Sequence, residues 1–267
     1  MNRISGSMVI TNVVTLVATL VLNGLATGLP LNGRTTGEIS DSFPNVFAPA
    51  GYVFSIWGII YIALIAFTAY QATSAGRASR AVQRIGWWFA ISGVANSVWI
   101  LFWHYGMFPA TMASMIILLV SLCVIVSRIG LPKDAMSKGE RWMVHLPFSI
   151  YLGWISVATI ANAAVTLLDL GWDGGPLSPE AWTVGLIAVA VGLGLWFIVQ
   201  REDLAYSFVL IWAFIGIAVK QVEPWVPEGA TIASALLALV AVWRIVTWLT
   251  GPRSSLNRSI APGIAPS

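Results

Sequence analysis

Few residues in this chain are of types that do chemistry, and their spacing keeps them apart. There are two histidines and one cysteine. His104 falls at the outer end of one apolar run and His145 at the inner end of another. If both runs cross a bilayer, the two lie about 30 Å apart and cannot share a metal or one catalytic site. Cys123 alone excludes a disulfide framework. No carboxylate falls in the middle of an apolar run, where a proton-coupled pump usually needs one. Lys220 closes an apolar run and reads as a snorkelling interfacial lysine rather than a Schiff-base lysine. No acid–base pair supports an enzyme.

Tryptophan is the outlier, with 14 residues. Trp87, Trp88, Trp142, Trp196, Trp243 and Trp248 fall near one end of the apolar runs, and Trp103, Trp172, Trp182 and Trp225 near the other. That is the pattern of interfacial aromatic belts. Trp57, Trp99, Trp154 and Trp212 remain at depth, where an indole N–H needs a partner. Two amides, Asn96 and Asn162, sit at similar depth. Asn96 and Trp99 share a helix face at i, i+3. Trp57 and Tyr61 do so at i, i+4, and Trp154, Ala158 and Asn162 at i, i+4, i+8. Converging under the polar segment 30–50, these residues would line a hollow for a flat, mostly apolar ligand with a few polar edges. The same residues would serve equally as hydrogen bonds between helices, worth about 0.6 kcal/mol each on average. Spacing leaves both readings open.

The elements that position them follow from composition. Of 267 residues, 58% are hydrophobic and 9% charged, against about 25% charged in a soluble domain. Mean hydropathy is +0.83. Such a chain has too little polar surface to dissolve as a monomer and is too apolar for disorder. A net charge of +3, with basic residues scattered over several loops, gives no nucleic-acid footprint. The uninterrupted apolar runs exclude the alternating pattern of membrane barrel strands. The fold class read here is all-α, a polytopic transmembrane helical bundle.

A helix needs roughly 20 apolar residues to cross the bilayer core. Charge-free runs predict eight spans, near 8–29, 51–72, 86–105, 108–128, 143–168, 181–199, 204–220 and 230–249. The third and fourth come from one run of 43 uncharged residues between Arg84 and Arg128, divided by turn signals at Gly106 and Pro109. The seventh is the shortest, with 16 residues between Asp203 and Lys220. This topology puts 12 of the 14 basic residues on one side: Arg3, Arg77, Arg80, Arg84, Arg128, Lys133, Lys138, Arg141, Arg201, Arg244, Arg253 and Arg258. Only Arg34 and Lys220 fall on the other. The asymmetry predicts both termini in the cytoplasm. The first run lacks a clean small-x-small cleavage site and reads as an uncleaved span rather than a secretory signal. Residues 170–180 look like a boundary, and the Pro- and Ser-rich tail from 251 reads as disordered.

Three short motifs give the chain a family likeness. Phe47-Ala48-Pro49 leads into Ile56-Trp57 and Tyr61; Ala95-Asn96-Ser97-Val98-Trp99 follows in the third span. Pro147-Phe148, Trp154, Val157-Ala158-Thr159 and Ala161-Asn162 occupy the fifth. The chain resembles the TspO/MBR family, the tryptophan-rich sensory proteins that include the translocator (peripheral benzodiazepine receptor) type. The Trp154-to-Asn162 spacing is the most specific part. The family pattern often has Trp where Gly51 stands and Gly-Pro where Phe54-Ser55 stands.

The resemblance covers residues 1–170 and implies a five-helix core with a pocket beneath the first loop. Residues 171–250 would be three additional membrane helices. It further implies binding of porphyrins and other tetrapyrroles, sterols or benzodiazepine-type drugs, with no required cofactor. A light-dependent porphyrin-degrading activity proposed in the family finds no acid–base constellation here. The expected ligand-binding residues are Trp57, Tyr61, Asn96, Trp99, Trp154, Ala158, Asn162, Pro49 and Arg34, with no catalytic or metal-ligating residue. Arg34, the only cation of the outer loops besides Lys220, would pair with porphyrin propionates. The expected partners are membrane lipid and a small lipophilic ligand. A homodimer through small residues such as Ala110, Ser114 and Ser121, or a larger membrane complex, would add to these. The expected location is a bacterial inner membrane. The competing reading is an accessory subunit of a membrane complex with a lipid- or pigment-filled pocket.

Overall fold

A computed structural model describes residues 4–29, 31–130 and 136–250. Expectations for the remaining positions, the tail from 251 among them, lie outside the described residues. The described chain is 83% helical and has no strand. Where no water reaches, a helix satisfies every backbone group within its own segment.

Eight long helices follow the eight apolar runs: α1 Gly6–Gly28, α2 Ile56–Ala72, α3 Trp88–His104, α4 Phe108–Ile129, α5 Leu146–Asp169, α6 Pro179–Gln200, α7 Leu204–Lys220 and α8 Val226–Thr250. Six are long and apolar enough to cross a membrane, counting with α2 and α5 the helical residues before them. α3 and α7 have 17 residues each, about 25 Å of helix.

Local chemistry sets the boundaries. Ser5, Ser178 and Asp203 cap α1, α6 and α7 by accepting backbone N–H bonds. Gly106, at φ +69°, turns the chain between α3 and α4, and Pro109 sits in the first turn of α4. A π-turn over Arg141–His145 precedes α5. Pro147 has no N–H for the carbonyl four residues back, so the ladder slips by one residue there. The 30–50 segment is more than a loop. It contains a helical turn, Thr36–Asp41, held by a reciprocal capping box between Thr35 and Glu38.

The first five helices are joined by buried polar contacts. Asn12 on α1 donates to Gln71 Oε1 on α2 at 2.9 Å. Thr19 on α1 donates to the Gly93 carbonyl of α3 at 3.1 Å. Gly93 allows that approach, since a Cβ there would stand 2.4 Å from Thr15 Cγ2. α6, α7 and α8 pack on one another, and α7 packs on α5. At the inner end of the α5–α7 seam, Ser149 donates to buried Asp203 and His145 Nε2 lies 3.6 Å from the same carboxylate. Higher in that seam Gly153 faces the Tyr206 backbone, and Tyr206 donates its hydroxyl to Ser156 at 3.0 Å.

Candidate functional site

The site lies where α2, α3 and α5 converge beneath the first loop. Trp57 is its centre. Its ring stacks on Tyr61 at 5.6 Å and on Trp99 at 6.3 Å, and meets Trp154 edge-on at 6.1 Å. Trp99 stacks in turn on Trp103 at 5.6 Å, and Trp103 meets Phe108 edge-on at 5.5 Å. The result is a continuous run of rings from Tyr61 towards the outer end of α3. The i, i+3 and i, i+4 spacings within each helix create it, because each puts consecutive rings on one face.

A cavity of about 40 Å³ opens against this run. Trp57, Trp99, Trp103, Trp154, Val157, Ala158, Ala161 and Asn162 line it below, and Thr36, Ser40, Pro49 and Phe54 close it from the loop. That space is enough for about three waters, far less than a porphyrin fills. Asn162 Oδ1 accepts from Trp99 Nε1 at 3.0 Å and fixes that ring. Trp154 is buried, and its N–H is a fully buried pocket-wall donor left without an acceptor among the described residues.

The residues singled out from sequence divide in two. Pro49, Trp57, Trp99, Trp154, Ala158 and Asn162 meet at the cavity. Tyr61 stands behind Trp57 rather than on the lining. Asn96 is engaged between helices: it accepts from Asn23 on α1 at 2.8 Å and donates to the Tyr151 hydroxyl on α5 at 3.0 Å. Arg34 also lies off the lining. Its guanidinium donates to the Glu38 carbonyl at 2.9 Å, holding the end of the short loop helix. The backbone N–H and hydroxyl of Thr35 both donate to the Glu38 carboxylate, at 2.6 and 2.9 Å. With Arg34 beside it, that carboxyl is held below the ordinary glutamate range.

Two outer residues are placed differently from the sequence reading. Trp103 is not an interfacial belt residue. It is buried, extends the ring run, and donates Nε1 to the Thr36 carbonyl at 3.2 Å. His104 is also covered. Its Nδ1 lies 2.9 Å from the Leu31 carbonyl and its Nε2 3.2 Å from Thr36 Oγ1, so it pins the loop to α3. Position near a helix end gave Trp103 and His104 to the surface; the folded-back loop buries them. Thr36, Ser40 and Phe54 also escaped the sequence reading. The capping-box pattern T-x-x-E was the available signal for a helical turn that brings Thr36 and Ser40 over the pocket.

The loop is fastened from the far side by α7. Ala50 N–H donates to the Gly216 carbonyl at 3.0 Å, and Trp212 Nε1 to the Val53 carbonyl at 3.1 Å. Gln221 donates to the Ala48 carbonyl at 2.7 Å, and Lys220 forms an ion pair with Asp41.

Fold and site together define an integral membrane protein of the helical-bundle class, with an aromatic pocket roofed by its first loop. The family model described as TSPO-like protein matches residues 9–243, and the chain belongs to that family. The match does not stop near residue 170, where the motif resemblance ended. It runs through α6 and α7 and most of α8, so an extension lying outside the family is not supported. No curated protein and no solved structure matches the chain.

Proposed function

We propose that the pocket binds porphyrins or similar flat lipophilic molecules, and that the protein acts as a sensor, carrier or scavenger of them. The observation that carries this reading is the run of stacked indoles at Trp57, Trp99 and Trp103 flanked by Trp154. Indole faces pair with a conjugated disc by offset stacking. The unpaired Trp154 N–H supplies one donor for a ligand oxygen, a group that is costly to leave unmade in a buried site. A cavity of about 40 Å³ is too small for such a ligand, so its walls must part on entry, and on this reading the loop is the part that lifts. Arg34, two residues before the Thr36–Asp41 turn, is then a candidate for a carboxylate at the mouth. The basic asymmetry of the loops favours termini in the cytoplasm, and a bacterial inner membrane is the proposed location.

Protoporphyrin titration of the detergent-solubilised protein, followed by tryptophan fluorescence, tests the reading. Saturable micromolar quenching, weakened in Trp99→Phe and Asn162→Leu, is the expected result. Non-saturating quenching equal in all three would show porphyrin dissolving in the micelle.

A second reading, an accessory subunit of a larger membrane complex, draws on α8. It is the least covered of the six long apolar helices, with 17% of its apolar window buried. Stable co-migration with a larger assembly in a native membrane extract would favour it.

A further inference from the structure

We propose that α7 is the positioning element of the pocket's roof, with Gly216 setting how closely Pro49 and Val53 sit over the aromatic run. This deepens the ligand-binding reading above and rests on it for the identity of the site. Pro49 and Phe54 line the cavity, and the chain between them runs straight into α2, whose first N–H, at Ile56, donates to the Val53 and Phe54 carbonyls. Across the fold, the backbone contacts of this stretch go to α7: Ala50 N–H is held by the Gly216 carbonyl, the Val53 carbonyl by Trp212, and the Ala48 carbonyl by Gln221. Tyr52 packs edge-on to the Trp212 ring at 5.3 Å.

The approach at Gly216 leaves no room for a side chain. A Cβ there would stand 2.1 Å from Val53 Cγ2 and 3.1 Å from Pro49 Cβ. Val53 is fully buried, and a β-branched side chain has little rotamer freedom with which to yield. The roof must therefore rise if the glycine is replaced. Residues of a late helix thus determine the clearance over Trp57, and with it the thickness of ligand the site admits.

The test is cysteine accessibility at the pocket wall. Val157 is buried and lines the cavity, so Val157→Cys in a Cys123→Ser background reports opening by its rate of N-ethylmaleimide labelling. Ser121→Cys on α4, equally buried and off the lining, is the control. Adding Gly216→Ala, or Trp212→Phe, which removes the donor to Val53 and trims the ring that Tyr52 packs on, should raise labelling at position 157 by about tenfold and leave position 121 unchanged. Trimming the obstructing atom with Val53→Ala alongside Gly216→Ala should return the rate towards that of the parent. Unchanged labelling at 157, or an equal rise at both positions, would overturn the proposal. Porphyrin titration of the parent protein separates the two readings. Expected labelling without porphyrin binding would sink the ligand assignment and leave the roof; binding with unchanged labelling would do the reverse.

Discussion

The seam between α1 and its neighbours and the seam between α5 and α7 are closed by different means. Along α1, side-chain amides and hydroxyls at several depths cross to the next helix: Asn12 to Gln71, Thr19 to Gly93 and Ser97, Asn23 to Asn96. Between α5 and α7 the middle is a close backbone approach at Gly153, flanked by Ser149 bonded to Asp203 at the inner end and Tyr206 bonded to Ser156 on the outer side. Without a hydrophobic drive between helices in lipid, both close packing and hydrogen bonding serve as the attraction. The first seam spreads its attraction over many modest contacts, and its own close approach, at Gly93, meets the end of the Thr15 side chain rather than backbone. The second concentrates it, so one methyl group at the right place should matter more there than one lost amide in the other.

The largest expected effect is therefore at Gly153. A Cβ there would lie 2.9 Å from the Tyr206 carbonyl oxygen and 3.1 Å from Val209 Cβ, and backbone cannot step aside as a side chain does. Gly153→Leu should push α7 away and cost at least the roughly 1–3 kcal/mol of an overpacked core, read as a fall in thermal unfolding temperature in detergent. A variant as stable as the parent would erase the contrast between the seams.

Asn96→Leu comes next. It removes the acceptor of one of the two Asn23 Nδ2 bonds, leaving the one to the Thr19 carbonyl, and the donor to the Tyr151 hydroxyl, for a loss of about 1–2 kcal/mol. Because Asn96 lies off the pocket lining, porphyrin affinity should hold where Asn162→Leu loses it. Equal losses of affinity in the two variants would mean that the amides do not divide the work as their contacts do.

The smallest effect concerns the loop. The Glu38 carboxyl, favoured in its charged form by Thr35, stabilises the short helix above the ordinary glutamate range. That contribution is lost as pH falls through the lowered value, so the loop helix should loosen only under acid conditions. Glu38→Gln should remove this pH dependence of loop proteolysis, and a persisting dependence would assign it elsewhere.

Much of this architecture was legible in the sequence. Apolar run length located all eight helices, because the bilayer fixes how long such a run must be. That Trp57, Trp99, Trp154 and Asn162 share inward faces was legible because spacing along a single helix fixes the face, while spacing left open whether they line a hollow or only join helices. What periodicity does not encode is which helix lies opposite. Asn96 and Asn162 look alike in sequence and differ in whether a polar partner or an indole faces them. The part played by Gly216 and Trp212 was hidden for the same reason: it depends on a loop far away in the chain meeting α7. Asp203 read as a boundary charge, and only the packing of α5 on α7 shows it buried.

The bond from Trp212 to Val53 joins residues 159 apart. At synthesis rates of about 5–20 residues per second, the first loop emerges roughly 8–30 s before the helix that fastens it. The hollow itself is complete only once α5 has followed, so for roughly the last 2–10 s of that interval, the time to make the 50 residues from Asn162 to Trp212, the nascent protein presents it without its α7 fastening. A ligand already dissolved in the membrane would meet the site at its most accessible then, and completion of α7 would shut it in. Loading during synthesis would then be a second route to occupancy, ahead of entry into the mature protein.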